Sequence, residues 1–270
     1  MKIKGIPLRI HPSWFLVFLY FILSARDQFE TLLDGQPSLW NGWIVGVFTS
    51  VLLFLSVLMH ELAHSFVAIG EGLKVRDITL FFLGGMATLE KECKTSKGSL
   101  KIAISGPIIS LLLAFLMILL SNNLSASNII ISNLFKQVGS LNLLIGVFNL
   151  LPIIPLDGGI ILKSLIWYFT GSKRAGIKVA IASARLISFL AIFIGVYSLI
   201  SGSFYVAICL FIVGLFVLAS SKSQSQIIQI QKILSELHVN QVCSRSYRIL
   251  EDDLPVKVLS KHKSLKENNN

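Results

Sequence analysis

Charged residues are scarce in this chain of 270 residues: 14% are Asp, Glu, Lys or Arg, whereas 54% are hydrophobic. The mean hydropathy of +0.75 is well above the range of ordinary soluble domains. Several stretches stay almost free of charge over the length that a bilayer crossing needs. The composition therefore excludes an ordinary soluble domain and predicts several membrane spans.

Cysteine is also scarce, and its spacing has no recognisable pattern. Cys93, Cys209 and Cys243 are far apart, and no two of them form a C-x-x-C pair. A disulfide framework and a cysteine-type zinc site are therefore not expected. We interpret the three residues as reduced thiols.

Acidic residues are fewer than basic ones, 14 Asp and Glu against 24 Lys and Arg, so the formal net charge is +10. A nucleic-acid-binding surface would show Lys and Arg interleaved with aromatic residues, and the sequence has no such stripe. No nucleic-acid partner is predicted. The positive charge is instead distributed as membrane topology requires.

Six apolar runs predict an all-α polytopic membrane protein with about six transmembrane helices, at residues 10–24, 43–69, 100–121, 139–155, 177–200 and 203–219. The first run has some features of a signal peptide, but we interpret it as a retained helix. Lys and Arg cluster in segments 1–9, 71–101 and 163–178. Since such residues are retained on the cytosolic side, both termini are expected in the cytosol.

Two further features lie outside the spans. Between the second and third spans, Gly84 and Gly85 separate two short β-prone runs, which predicts a small membrane-associated β-hairpin connected by the glycine pair. From residue 220 the chain becomes polar, with a helical stripe that begins at Ile227. The expected domains are a membrane domain, 1–219, and a cytosolic tail, 220–270.

The second span contains the string His60-Glu61-Leu62-Ala63-His64. Two histidines four residues apart share one helix face and can bind a single divalent cation. The glutamate between them can reach a water on that cation. Ionisable side chains are costly in lipid, which makes a chance string improbable there. The sequence predicts a zinc hydrolase within the membrane, with one Zn²⁺ per chain and Glu61 as the general base.

A catalytic zinc site needs a third protein ligand, and Asp157 is the predicted one. The fourth span is expected to run towards the cytosol and to end near Asp157, at the depth of the histidines. Pro152 and Pro155 interrupt the helix, and the glycine pair 158–159 lets the backbone turn. A helix-capping or turn role is the alternative. The competing carboxylates lie in charged sequence that we interpret as solvated: Glu71, Asp77, Glu90 and Glu92.

Asn149 lies eight residues before Asp157. Its amide could donate to a developing oxyanion or bond between helices, and both roles stay open. Asn142 is interpreted as an interhelical contact. For the whole protein, a metal or ion transporter and an inactive zinc-binding retention protein are the alternatives. No repeated half supports the first, and no damage to the zinc set supports the second.

These motifs together resemble the site-2 protease family of intramembrane zinc metalloproteases. The resemblance extends over about residues 1–219 in the family's order and rests on segments 59–65, 84–85, 105–107 and 148–159. It implies a core formed by the second to fourth spans. It also implies roles for the residues named above: His60, His64 and Asp157 as zinc ligands, Glu61 as catalytic acid and base, and Asn149 near the active site.

The family cuts membrane-anchored proteins, often after a first cut elsewhere. The resemblance therefore implies peptide-bond hydrolysis in or near transmembrane segments, a membrane-spanning substrate, a lipid bilayer and a regulatory membrane protein as partners. The six-span layout resembles the bacterial branch with a cytosolic CBS domain, so a bacterial plasma membrane is expected. Residues 239–259 resemble only the start of a CBS repeat, and nucleotide binding by the tail is not predicted.

Overall fold

The structure is a computed structural model that describes residues 2–3, 6–32, 39–81, 84–124 and 129–236. The elements in chain order are β1 Lys2–Ile3, β2 Ile6–Ile10, α1 Trp14–Leu32, α2 Leu39–Gly70, β3 Val75–Phe81, β4 Gly84–Leu89, α3 Ser96–Leu124, α4 Ile129–Asn149, α5 Asp157–Thr170, α6 Lys173–Ile200 and α7 Phe204–Glu236. The chain divides into two compact units, Met1–Ser225 and Gln226–Asn270. The predicted CBS-like segment lies outside the described residues.

Among the described residues, five helices are long and apolar enough to cross a membrane, over Gly42–Gly70, Ser96–Leu124, Ile129–Asn149, Lys173–Ile200 and Phe204–Gln226. A shorter apolar stretch in α1, Trp14–Ser24, stands where the first span is predicted. Large apolar side chains such as Phe193 face outwards, as a lipid-exposed surface requires. The expectation of a helical multi-pass membrane protein is confirmed, with five long spans and one shorter apolar helix.

The fourth span differs from its prediction of 139–155. The helix begins ten residues earlier, at Ile129, and ends at Asn149, before the first proline. Its first half was missed because it contains polar residues, and these residues bond within the bundle. Ser132 and Ser121 exchange hydrogen bonds with each other's backbone carbonyls at 2.8 and 2.9 Å. The Asn142 amide donates to Ser56 of α2 at 3.0 Å, the interhelical contact that was expected.

Helix α5 was not predicted at all. Its sequence contains Lys163, and the run of cations from there to residue 178 indicated a solvated loop. The helix has only 14 residues, so it is too short to cross a bilayer. It ends at Thr170, and the next residue, Gly171, closes the helix with a positive φ of 69°.

The strands form one sheet in the order β1-β2-β3-β4, in which β2 and β3 are parallel and β3 and β4 antiparallel. The predicted hairpin is present, but the two N-terminal strands were missed. The assignment of Gly84 and Gly85 as the connection is wrong, because they pair with Phe81 and Leu80 within the sheet. Residues 82–83 lie outside the described residues. Gly84 has a φ of 131°, which only glycine adopts readily.

Asp77 was interpreted as a solvated carboxylate, and this is also wrong. Its residue is 7% exposed, and its Oδ2 lies 3.3 Å from the Arg9 guanidinium of β2. The missed parallel pairing of β2 with β3 is the reason, since it covers Asp77 and supplies a cation. The ion pair links the N-terminal strand to the hairpin.

One apolar cluster attaches the sheet to the helices. Ile78 and Leu80 of β3 are almost fully buried, and they pack with Trp14 of α1 and Val57 and Leu58 of α2. Complete burial of such a side chain contributes about 1.5–3 kcal/mol. The cluster reaches the His-Glu-His string of α2, since Leu62 within the string packs against it, and so holds the hairpin beside the string.

Candidate metal centre

Helix α2 carries the first three residues of the centre into the interior of the bundle. His60 and Glu61 are 4% and 7% exposed, and His64 is half-buried. The two imidazole rings are neighbours on one helix face, with centroids 4.8 Å apart in an edge-on arrangement. Both rings point to the same place because four residues make slightly more than one helical turn.

Asp157 reaches the same point from a different helix. It is the first residue of α5 and follows an irregular segment, 150–156, after the end of α4. A Cβ on Gly158 would overlap the carbonyl oxygens of Leu150 and Leu151, so only glycine allows this turn. The N-cap position belongs to Leu156, and no side chain caps the helix. The Asp157 carboxylate is thus free of capping and points at the histidines.

Three donor atoms meet in a nearly equilateral triangle. Asp157 Oδ2 lies 3.2 Å from His60 Nε2 and 3.3 Å from His64 Nε2, and the two Nε2 atoms are 3.2 Å apart. Ligands about 2.05 Å from a tetrahedral zinc ion lie about 3.3 Å from one another. Among the described His, Cys, Asp and Glu residues, these three form the group that could hold a metal ion.

The other ring nitrogens are already occupied by helix α3. His64 Nδ1 donates to the Ile102 carbonyl oxygen at 2.6 Å, and His60 Nδ1 is hydrogen bonded to the Ser110 hydroxyl at 2.8 Å. A proton on Nδ1 leaves the lone pair of Nε2 directed into the triangle. Such partners orient metal-binding histidines and make them more basic. With both protons on Nδ1, the three atoms of the triangle all carry lone pairs that face each other. A cation between them would remove their mutual repulsion.

Gly106 of α3 leaves the space for both imidazole rings. A Cβ at this position would overlap the Nε2 atoms of His60 and His64. The sequence indicated that this glycine permits close helix approach, and the structure shows that the rings themselves take up the room. Ser110, one turn further along α3, was missed. The detectable signal is a serine four residues after that glycine in an apolar span, because small and polar residues at this spacing share one helix face.

A cavity of about 810 Å³ opens beside the triangle, and its wall includes Glu61, Asn149 and Asp157. The Ala87 backbone N–H of β4 donates to the Glu61 carboxylate, and Gly85 lies so close that a Cβ would overlap it. The Asn149 amide has no hydrogen-bond partner among the described residues, although it faces this cavity. Space for a water or a substrate is therefore present beside the donors. Two imidazoles, one carboxylate and an open position fit a catalytic zinc ion.

Comparison with known proteins agrees with this geometry. The family model described as Peptidase family M50 matches residues 48–126 and 121–194, which include all five residues of the predicted site. The chain belongs to peptidase family M50, the site-2 protease family, and the resemblance seen in its motifs is thereby confirmed.

Individual relatives support the assignment. The chain is 37% identical over 84% of its length to the Synechocystis sp. protein named "Putative zinc metalloprotease sll0528", of which it covers 59%. It is 30% identical over 94% of its length to the zinc metalloprotease MJ0392 of Methanocaldococcus jannaschii, of which it covers 68%. The solved structure of a site-2 protease from the same archaeon superposes with a TM-score of 0.53 at 28% identity, covering 93% of this chain and 98% of that one.

The chain spans only part of the length of the curated relatives that it matches. It spans about three fifths of the length of the Synechocystis protein and of the Mycobacterium tuberculosis relative Rip3, 59% and 61% respectively. The residues that the family model matches, 48–126 and 121–194, include the hairpin and the metal centre.

We predict that Gly106→Val abolishes metal binding without unfolding the bundle. The new side chain needs the space of the two Nε2 atoms, so the triangle cannot form. Purified protein should hold about one zinc ion per chain before the change and a small fraction of that after it, by elemental analysis. Ile108→Val, on the exposed side of the same helix, is the control. Full zinc content in Gly106→Val would contradict the assignment of the triangle.

Proposed function

We propose that this protein is an intramembrane zinc metalloprotease that hydrolyses peptide bonds in or near transmembrane segments of membrane-anchored proteins. One observation carries the proposal: the donor triangle and Glu61 share a cavity inside a bundle of membrane-spanning helices. The zinc metalloprotease names of the relatives support it. A transporter or an inactive retention protein finds no support among them.

In this proposal His60, His64 and Asp157 hold the ion through the three atoms of the triangle. A zinc ion bound there supplies Lewis-acid chemistry, lowering the pKa of a water and polarising a carbonyl group. The protein's contribution is to hold the ligands rigid. Ser110 and the Ile102 carbonyl fix the ring orientations, and the turn at Gly158 fixes the carboxylate.

Glu61 is the proposed general acid and base. Its carboxylate borders the same cavity as the triangle, so it can take a proton from the attacking water and deliver it to the leaving amine nitrogen. The Ala87 N–H donates a hydrogen bond to the carboxylate and so fixes its orientation. A carboxylate held by one strand N–H still has lone pairs for the proton transfer.

Asn149 is proposed to stabilise the oxyanion of the tetrahedral transition state. Its unpartnered amide faces the cavity, whereas an amide that joined helices would be hydrogen bonded. Asn142 illustrates the second case, since its amide donates to Ser56 and to the Val138 carbonyl. Donors aimed at developing charge are among the larger contributions to catalysis.

The hairpin offers a place for an unwound substrate. A transmembrane helix hides its carbonyls in its own hydrogen bonds, so cleavage requires local unwinding. β4 has one paired side in the described sheet, and its Gly85 and Ala87 lie against Glu61. An extended substrate segment laid beside β4 would pass directly in front of the triangle.

Topology and partners belong to the same proposal. The cation-rich segments 1–9, 71–101 and 163–178 support the proposal that both termini lie in the cytosol, and a bacterial plasma membrane is the proposed location. Residues 1–219 are proposed as the catalytic domain and 220–270 as a cytosolic tail. The proposed partners are a membrane-spanning substrate, the lipid bilayer and a regulatory membrane protein.

Glu61→Gln should lower the cleavage rate of a tagged membrane substrate by about 10²–10⁴-fold, because the amide cannot accept the proton of the water. Bound zinc should stay at the parental level, since Glu61 is outside the triangle. The assay is single-turnover cleavage in proteoliposomes, with elemental analysis of the same sample. Glu90→Gln, an exposed carboxylate outside the cavity, is the control. Parental cleavage by Glu61→Gln would refute the proposed mechanism.

Asn149→Ala should lower kcat by about 10²–10³-fold while KM and the thermal unfolding midpoint stay close to parental values, because an oxyanion donor acts only in the transition state. Asn142→Ala provides the contrast. It removes a buried interhelical bond worth about 1 kcal/mol, so its midpoint should fall while cleavage by the folded protein persists. If Asn149→Ala instead lowers the midpoint and leaves kcat unchanged, its amide serves the packing of the helices.

A further inference from the structure

A charged side chain outside the metal centre also faces its cavity. Lys163 of α5 lies on its wall, six residues after Asp157, so its Cα is about 9 Å further along the helix axis. The next residue, Ser164, is fully buried and donates to the Ser99 hydroxyl of α3 at 2.8 Å. This bond fixes the rotation of α5 and therefore keeps Lys163 directed at the cavity.

Two more charged residues outside the metal centre lie on the cavity wall with Lys163. Glu92, which follows β4, and Lys173, the first residue of α6, also lie on this wall and form an ion pair with each other. The hydrogen bond from Lys173 holds the pKa of Glu92 below its ordinary value, so the carboxylate is an anion already committed to that partner. Apart from these residues and those of the metal centre, the wall is mainly apolar, with side chains such as Val57 and Phe148.

Lys163 itself has no direct hydrogen bond or ion pair with the residues that the structure describes, although Glu92 is close enough to attract it. Within the described part of the chain, no carboxylate lies within 4 Å of its ammonium group and no hydrogen bond reaches it. Its side chain is half-buried, and burial lowers its pKa, because desolvation disfavours the charged form. The Glu92 carboxylate attracts Lys163 and acts to raise its pKa, whereas the neighbouring Lys173 adds a like charge. An incoming carboxylate would offset both costs.

We propose that Lys163 forms a subsite for an acidic side chain of the substrate, placed a few residues from the scissile bond. This inference rests on the proposed function. An extended chain advances about 3.3 Å per residue, so the 9 Å offset from Asp157 corresponds to about three residues. The flexible lysine side chain widens the range to about two to four residues. The subsite selects an apolar segment that carries one Asp or Glu near its cut.

The test is a charge-swap series in proteoliposomes. One transmembrane substrate carries Glu, Gln or Lys at each of the positions two to four residues from the cut, on either side. Against the parental enzyme, the best Glu substrate should exceed its Gln counterpart by about ten- to hundredfold in kcat/KM, as a charge-assisted hydrogen bond provides, and most of the effect should lie in KM.

Three variants complete the series. Lys163→Gln should remove the preference for Glu, and Lys163→Glu should reverse it in favour of the Lys substrate. Lys178→Gln removes an exposed lysine of α6 that is not on the cavity wall, and it should retain the parental preference. If Lys163→Glu does not fold, as judged by zinc content and gel filtration, Lys163→Gln alone decides. A preference that survives Lys163→Gln would overturn the subsite.

A binding measurement separates this inference from the proposed function. Glu61→Gln protein with bound zinc is titrated with fluorescent Glu and Gln substrates, and anisotropy gives Kd without turnover. A tighter Kd for Glu that disappears in the Glu61→Gln, Lys163→Gln double variant supports the subsite. Equal cleavage and equal binding of Glu, Gln and Lys substrates would overturn the subsite while leaving the protease intact. Failure of the parent to cleave any substrate would count against the protease itself.

Discussion

The contact on which the rest of the structure depends joins two helices through three donor atoms. His60 and His64 come from α2, and Asp157 comes from α5, almost a hundred residues later in the chain. The three atoms lie 3.2–3.3 Å apart, a spacing that only a shared cation or proton makes favourable. Gly106 of α3 provides the room in which they meet. A change in any of the three helices would therefore alter the centre.

Placing ionisable groups among membrane helices is costly, and the protein offsets the cost locally. The outer nitrogens of both imidazoles are hydrogen bonded to α3, and Glu61 accepts an N–H from β4. The sheet is held in turn by an apolar cluster on α1 and α2 and by the ion pair between Arg9 and Asp77. The position of Glu61, the proposed general base, thus depends on the hairpin, and the hairpin depends on the N-terminal strand.

The sequence predicted the local motifs well and the long-range pairings poorly. The His-Glu-His string and the break before Asp157 are visible because residue spacing alone encodes them. The pairing of β2 with β3 joins strands about 70 residues apart, and no short pattern marks it. Helix α5 was hidden because Lys163 marked a cytosolic loop, whereas its side chain actually faces a cavity. Asp77 was interpreted as solvated because the strand that covers it, β2, is distant in the sequence.

The central claim is that one zinc ion is held by two imidazole nitrogens and one carboxylate oxygen inside the bundle. Zinc K-edge X-ray absorption on the purified full chain tests it most directly. We expect about one zinc per chain with only nitrogen and oxygen ligands at about 2.0–2.2 Å, two of them with the outer-shell scattering of imidazole. Zinc absent from the intact protein, or bound through sulfur at about 2.3 Å, would contradict the account.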